Sequence, residues 1–182
     1  MMKEKHKEDN VMNFMELAEA RYSVRKFTDR PVEKEKLDAI LRAGQIAPTA
    51  GNYQAQRVYV VQSLEGMETL RSLTKCHYGA STVLIVGYDK QADWKNPNED
   101  GVHSGEQDAS IVATHMMLEA WELGIGSCWV NFFSPTQVRE TFKLPEDFVP
   151  VMMLPIGYAD EKAVPAKWHT EYKDLTDTVS YL

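Results

Sequence analysis

Thr82 to Tyr88 reads Thr-Val-Leu-Ile-Val-Gly-Tyr, a nearly unbroken apolar run of strand-forming residues. Such a run suits a strand inside a buried sheet, because a strand with one wet face alternates apolar with polar residues. Val58 to Gln62, the segment from Gly126 through Val130, and Val151 to Tyr158 read as further strands, and Tyr22 to Phe27 as extended chain. Helical spacing marks Asn13 to Arg21, Glu33 to Ala47, Leu64 to Thr74, Ser104 to Leu123 and Ser134 to Phe142. In the first of these Asn13 stands as a cap with Glu16 three positions on. In the second, Leu37, Ile40, Leu41 and Ala47 share a face before Pro48 stops the helix. Ser104 to Leu123 is the longest and is apolar over most of its surface, so it is expected to be central. Helices interleaved with four or five strands, without internal repeats, point to an α+β layered fold with one central sheet.

A length of 182 residues fits one domain, over residues 13–182, preceded by a charged, polar tail over residues 1–12 and ending in an arm from Leu175 with apolar spacing. Nothing in the first residues resembles a signal peptide, and the apolar runs fall well short of the ~20 residues that span a bilayer. The formal charge of -7 disfavours nucleic acid or an anionic membrane as partner. Cys76 and Cys128 are far apart and form no CxxC pair, which argues against a disulfide framework or a zinc ribbon and fits a reducing, cytoplasmic setting.

Arg21, Ser23 and Arg25 are spaced by two, so an extended backbone directs all three to one face. Two guanidinium forks and a hydroxyl suit a phosphate with a neighbouring carbonyl edge. Alone, the triplet also fits a solvated edge strand. In the loop Pro48 to Gln54, the amides of Asn52 and Gln54 both donate and accept, as the edge of a heteroaromatic ring requires, and Gly51 permits close backbone approach. Alone, this too fits an ordinary turn. His115 and Glu119 share a helix face, but with no HExxH pattern or third ligand His115 reads as a packing residue and no metal is expected. No dinucleotide-binding or P-loop glycine pattern occurs. Gln91 to Gly101, rich in turn formers and carboxylates, is the candidate for a mobile loop.

Taken together and in order, these segments resemble the FMN-dependent nitroreductase family. Arg21-Tyr22-Ser23-Val24-Arg25-Lys26-Phe27 is similar to its opening signature and Ala47 to Gln54 to its second. Asp108 with the long helix and Leu123 to Trp129 resemble the third, and Leu154 to Tyr158 the fourth. The resemblance implies a three-layer fold with a mostly antiparallel central sheet flanked by helices, in an obligate homodimer with FMN at the interface. Arg21 and Ser23, with Tyr22 between them, would hold the phosphate and ribityl end, and Arg25 would lie near the pyrimidine edge. Pro48, Thr49, Ala50, Asn52 and Gln54 would approach from the second subunit, and Trp129, Val130 and Asn131 would lie against the ring. The chain departs from the pattern at Asn131-Phe132-Phe133, where relatives often carry glycines. It departs again near the C-terminus, where Tyr172 aligns with a usual basic residue and Lys173 is the substitute candidate.

The activity so implied is ping-pong transfer of hydride from NADH or NADPH through flavin N5 to a nitroaromatic, quinone or enone, with no side chain as obligatory acid or base. One alternative is an oxygen-activating or dehalogenating flavoenzyme of the same fold, for which Gln91 to His103 would be the lid. Another is a slow FMN-storage or redox-sensing dimer, in which Phe132 would close the cleft.

Overall fold

A computed structural model describes residues 13–182, and the tail expected over residues 1–12 lies outside them. Helix α1, Phe14–Ala20, starts where its cap residues place it. The Asn13 side chain accepts from the Met15 and Glu16 amides at 3.0 and 3.1 Å, and Glu16 accepts from the Asn13 amide at 2.9 Å. These reciprocal bonds satisfy amides that the first helical turn leaves without partners. In chain order follow α2 (Lys34–Gln45), β1 (Gln56–Val61), α3 (Leu64–Leu73), β2 (Thr82–Asp89), α4 (Gly105–Glu122), β3 (Gly126–Ser127), α5 (Pro135–Thr141), β4 (Phe148–Gly157) and α6 (Leu175–Thr178).

The strands form one antiparallel sheet in the order β1-β2-β4-β3. Side chains alternate between its faces. Leu84, Val86, Met152, Leu154 and Ile156 pack against Leu37 and Ile40 of α2 and Val112 and Met116 of α4. Val83, Ile85 and Met153 turn the other way and pack against Met67 and Leu70 of α3 and Val138 of α5. The sheet is therefore the middle of three layers, which is why β2 tolerates almost no polar residue.

The ends of α4 are defined by local chemistry. Gly124, with φ of 72°, takes the left-handed position that closes a helix, and the Gly124 and Ile125 amides return to the carbonyls of Trp121 and Ala120 at 2.9 and 2.7 Å. Gly126 then passes so close to Val24 that a Cβ would lie 2.6 Å from its methyl group. The absence of a side chain there lets Val24 reach full burial and its amide bond the Ser127 carbonyl at 2.9 Å.

One expected strand is shorter than its sequence suggests, and the extended segment before α2 pairs only at single points. Tyr22 to Phe27 is extended but makes only single bridges, Ser23 to Ser127 and Phe27 to Ala159. The strand from Gly126 keeps a ladder only to Ser127, with a further bridge from Val130 to Met153. Pro155, opposite Cys128, accepts from its amide at 3.1 Å but has no amide to return. The candidate mobile loop, residues 91–101, lies within a bonded tongue that runs on to His103. Lys95 bridges His103, the Asn96 amide reaches Val102 at 2.9 Å, and the Ser104 amide reaches Trp94 at 3.1 Å. Asp93, buried beneath the tongue, pairs with the Lys95 ammonium and has His103 Nδ1 at 2.7 Å, a contact poorly aligned for a hydrogen bond. From sequence Asp93 looks like one more surface carboxylate.

Between α2 and the end of β4, the Glu33 carboxylate accepts from the Tyr158 hydroxyl and from Arg30, each at 2.6 Å, while Arg30 stacks 3.9 Å from the centre of the Tyr158 ring. The Tyr158 hydroxyl first, then the backbone and Arg30, hold the Glu33 carboxyl at about 2, down from 4.5. A depressed carboxylate stabilises the fold above its unfolded value and loses that contribution as pH falls through the folded one. Glu33→Gln should therefore lower Tm near neutral pH. In thermal melts the gap to the parent should close between pH 4.5 and about 2; a gap constant over that range would contradict the assignment.

Candidate active site

Arg21, Tyr22, Ser23 and Arg25 line one cavity of about 280 Å³. The extended backbone after α1 brings Arg21, Ser23 and Arg25 there together, while the intervening Val24 faces the core with Phe27 and Ala80. Tyr22 shapes the cavity from behind: its ring meets Trp121 edge-on at 5.2 Å and its hydroxyl donates to the Ala163 carbonyl at 3.3 Å. The far wall is Trp168, His169 and Tyr172, on and just after a turn of 3-10 helix at Lys167–Thr170. Lys173 is exposed and lies outside this wall, so the polar groups on that side are His169 and Tyr172. Sequence offered Tyr172 by alignment, whereas nothing marked His169 or Trp168, because their approach depends on the chain folding back after β4.

The residues are suited to a phosphorylated ligand. Arg21 and Arg25 form no ion pair with a carboxylate among the described residues, and Arg25 commits one N–H to the Ser23 carbonyl at 3.3 Å, so the other guanidinium donors remain for a ligand. Beside Ser23, the Ser127 hydroxyl is buried with no hydrogen-bond partner, an orphan that a ligand oxygen could satisfy. Burial pushes the Cys128 thiol up, against the pull of Arg25 and Ser23. Burial, followed by the Cys76 thiol, likewise raises Tyr78 to about 12. Both groups thus stay neutral beside Arg25, and no anion competes with a ligand for that cation.

Pro48 to Gln54 stands elsewhere in the same chain. The Ala50 amide donates to Asp108 at 3.0 Å, and the other oxygen of that buried carboxylate accepts from Ser104 at 2.7 Å. Thr49 Oγ1 accepts the Gln54 amide at 3.1 Å, and the Gln54 side-chain amide donates to Asn52 at 3.2 Å. Gly51, Asn52 and Gln54 all have left-handed backbone angles, with φ of 55°, 57° and 51°. Two non-glycine residues in that region mark a loop whose shape is held against its own preference. Asp108 sits in the first turn of α4 and Trp121, which packs on Tyr22, in the last. Thirteen residues of helix separate them, or ~20 Å. Within one chain the loop is thus remote from Arg21, and Trp129, Val130 and Asn131, which do not line the cavity, continue from Ser127 along the sheet edge.

His115 is half-buried, and its Nδ1 donates to the Ile111 carbonyl at 2.9 Å, in keeping with a packing role. Among the described residues no group of three or more His, Cys, Asp or Glu could hold a metal ion, and no helix is long and apolar enough to cross a membrane.

The chain matches the Nitroreductase family over residues 18–78 and 74–158. It belongs to that family. A Methanothermobacter thermautotrophicus relative named NADH dehydrogenase/NAD(P)H nitroreductase is 30% identical, over 82% of this chain and 79% of its own. A nitroreductase family protein of Clostridium difficile 630 has a structure that superposes with a TM-score of 0.87 at 43% identity, covering 93% of this chain and 98% of that one. A nitroreductase from Exiguobacterium sibiricum 255-15, solved in complex with FMN, superposes with a TM-score of 0.80 at 25% identity, covering 94% and 98%. This nitroreductase-family chain is accordingly an oxidoreductase with an α+β fold.

Asp108→Ala would leave the Ala50 amide and the Ser104 hydroxyl without a partner, a loss of about 1–3 kcal/mol. At roughly 2–4 °C per kcal/mol for a chain of this size, Tm should drop by several degrees, and proteolysis within Pro48 to Gln54 should quicken. An unchanged melt with an unchanged cleavage pattern would contradict the anchoring role.

Proposed function

We propose that the chain is an FMN-dependent NAD(P)H oxidoreductase that acts as a homodimer. The observation that carries this reading is the convergence of Arg21, Ser23 and Arg25 on one cavity, with the orphaned Ser127 hydroxyl beside them. Arg21 and Ser23 hold the phosphate end of FMN, with His169 and Tyr172 opposite. A cofactor anchored there extends along Ser127 to Asn131, which spans ~13 Å as extended chain. Arg25 lies beside the pyrimidine edge, where a cation lowers the energy of negative charge on the reduced ring. When bound, FMN accepts hydride from NADH or NADPH and passes it to an oxidised acceptor such as a nitroaromatic or quinone. The protein contributes position, charge and exclusion of water, and no acid or base at a reacting atom.

The second subunit enters because the loop at Pro48 to Gln54 cannot reach across the ~20 Å of its own α4. Pro48, Thr49, Ala50, Asn52 and Gln54 instead meet the flavin bound to the partner. The apolar surface is consistent with such pairing. Phe14, Ile46 and Ile111 are exposed, and the arm carries Leu175, Val179, Tyr181 and Leu182 into solvent. A groove lined by Phe14, Leu17, Ile46 and Leu118 lies beside them. Apolar surface on this scale is usual where a monomer is half of an assembly. Phe132 stands 83% exposed at the edge of an open cavity, which favours turnover over storage, and the bonded tongue at residues 91–103 favours a fixed wall over a closing lid.

Purified protein supplied with FMN should be yellow and should oxidise NAD(P)H when a nitroaromatic is present; failure of both would overturn the reading. Arg21→Ala should weaken FMN retention more than Arg25→Ala, whereas Arg25→Ala should shift the flavin potential more, measured by dye-equilibrated titration of the FMN-loaded variants. Equal potentials would refute that division. Light scattering should give twice the 20.7 kDa chain mass. Removal of residues 174–182 should shift the population toward monomer and lower FMN retention with it.

A further inference from the structure

Beyond Asn131 a second cavity opens, about 630 Å³, walled by Phe132, Phe133, Arg71 and Lys75. Asn131 belongs both to this wall and to the edge along which the flavin would lie. Phe132 is 83% exposed, yet its backbone is fixed. Its carbonyl accepts from the buried Thr74 hydroxyl at 3.0 Å, and that oxygen accepts the Cys76 amide at 3.1 Å. Thr74 thereby locks the segment that carries Lys75 to the one that carries Phe132. A phenyl ring held in water is apolar surface that a planar ligand stacked on it would cover.

The charge at this cavity runs against that of the chain. Arg71 lies in the last turn of α3 and Lys75 follows the helix, and neither forms an ion pair with a carboxylate among the described residues. Nearby, His77 has its pKa lowered, by burial first and by the charge of Arg71 second. In a protein of net charge -7, two unpaired cations on the rim of one cavity attract and orient an anion there.

We propose that this cavity receives the electron acceptor and selects a flat aromatic ring bearing a carboxylate or phosphate. Phe132 stacks on the ring while Arg71 and Lys75 take the anionic group. The inference rests on the reductase reading above, which supplies the need for a flat molecule beside Asn131.

The test uses the FMN-loaded full-length protein and two redox-inert probes, benzoate and benzamide, titrated by calorimetry so that binding is read without turnover. Benzoate should bind about tenfold more tightly, the order expected of charge-assisted bonds at a partly open site. Added salt should reduce the difference. In Arg71→Gln/Lys75→Gln the ratio should fall to about one, while Phe132→Ala should weaken both probes alike. Because each ratio compares two ligands on the same variant, a loss of stability cancels. Equal affinities in the parent, or a ratio unmoved by the double substitution, would overturn the site. A rise in the KM for NAD(P)H with the benzoate ratio unchanged would also overturn it, since the cations would then serve the dinucleotide. If benzoate discriminates as expected but neither 4-nitrobenzoate nor 4-nitrobenzamide is reduced, the site stands and the reductase reading fails.

Discussion

The pairing of β2 with β4 is the constraint from which the other features follow. Both strands lie inside the sheet and have both faces covered, so α2 and α4 must take one side and α3 and α5 the other. With the interior given over to packing, polar chemistry is confined to the rim. The arginine segment reaches that rim by bridging Ser23 to Ser127 next to β3, the short outer strand, and Val24 secures it by filling the space that Gly126 leaves. A side chain at Gly126 would disturb the cavity without touching any ligand, because Val24 and Ser23 move as one piece of backbone.

Helix α4 adds a length scale. Its first turn anchors the Pro48 to Gln54 loop through Asp108, and its last turn supports Tyr22 through Trp121. Rigid over ~27 Å, it keeps the two signature segments at opposite ends of a single subunit. A site built from both would have to be completed by two chains, and cofactor retention would then depend on assembly. The exposed arm beyond Tyr172 fits the same scheme, since Tyr172 lines the cavity of Arg21 and Arg25 while the apolar residues after it stand exposed among the described residues.

The sequence made the fold legible where periodicity and caps agreed. The Asn13 capping box, the stop at Pro48, the glycine turn after α4 and the run through β2 each correspond to a local rule, and each stands in the structure. The triplet Arg21, Ser23 and Arg25 was legible for the same reason, as alternation in extended chain. What escaped depended on tertiary placement. Asp93 reads as a surface acid until the tongue folds over it, and His169 and Trp168 gain meaning only when the chain returns past Tyr22. The ladder break at Cys128 was also hidden, because Pro155 is distant in sequence and its missing amide matters only in register.

Strain at Asn52 and Gln54 clarifies how Asp108 acts. Left-handed backbone at two non-glycine residues costs of order 1–3 kcal/mol each, and an isolated loop would relax. Here the Ala50 amide is held from one side by a buried carboxylate, and the Gln54 amide by Thr49 from the other, so the loop is fixed at both ends. Buried Ser104 satisfies the remaining oxygen of Asp108, and a carboxylate so placed is costly to move. The loop therefore holds its shape through bonds within the chain itself. A planar group bound against it would lose less ordering free energy than on a flexible loop, at the expense of backbone strain already borne by the fold.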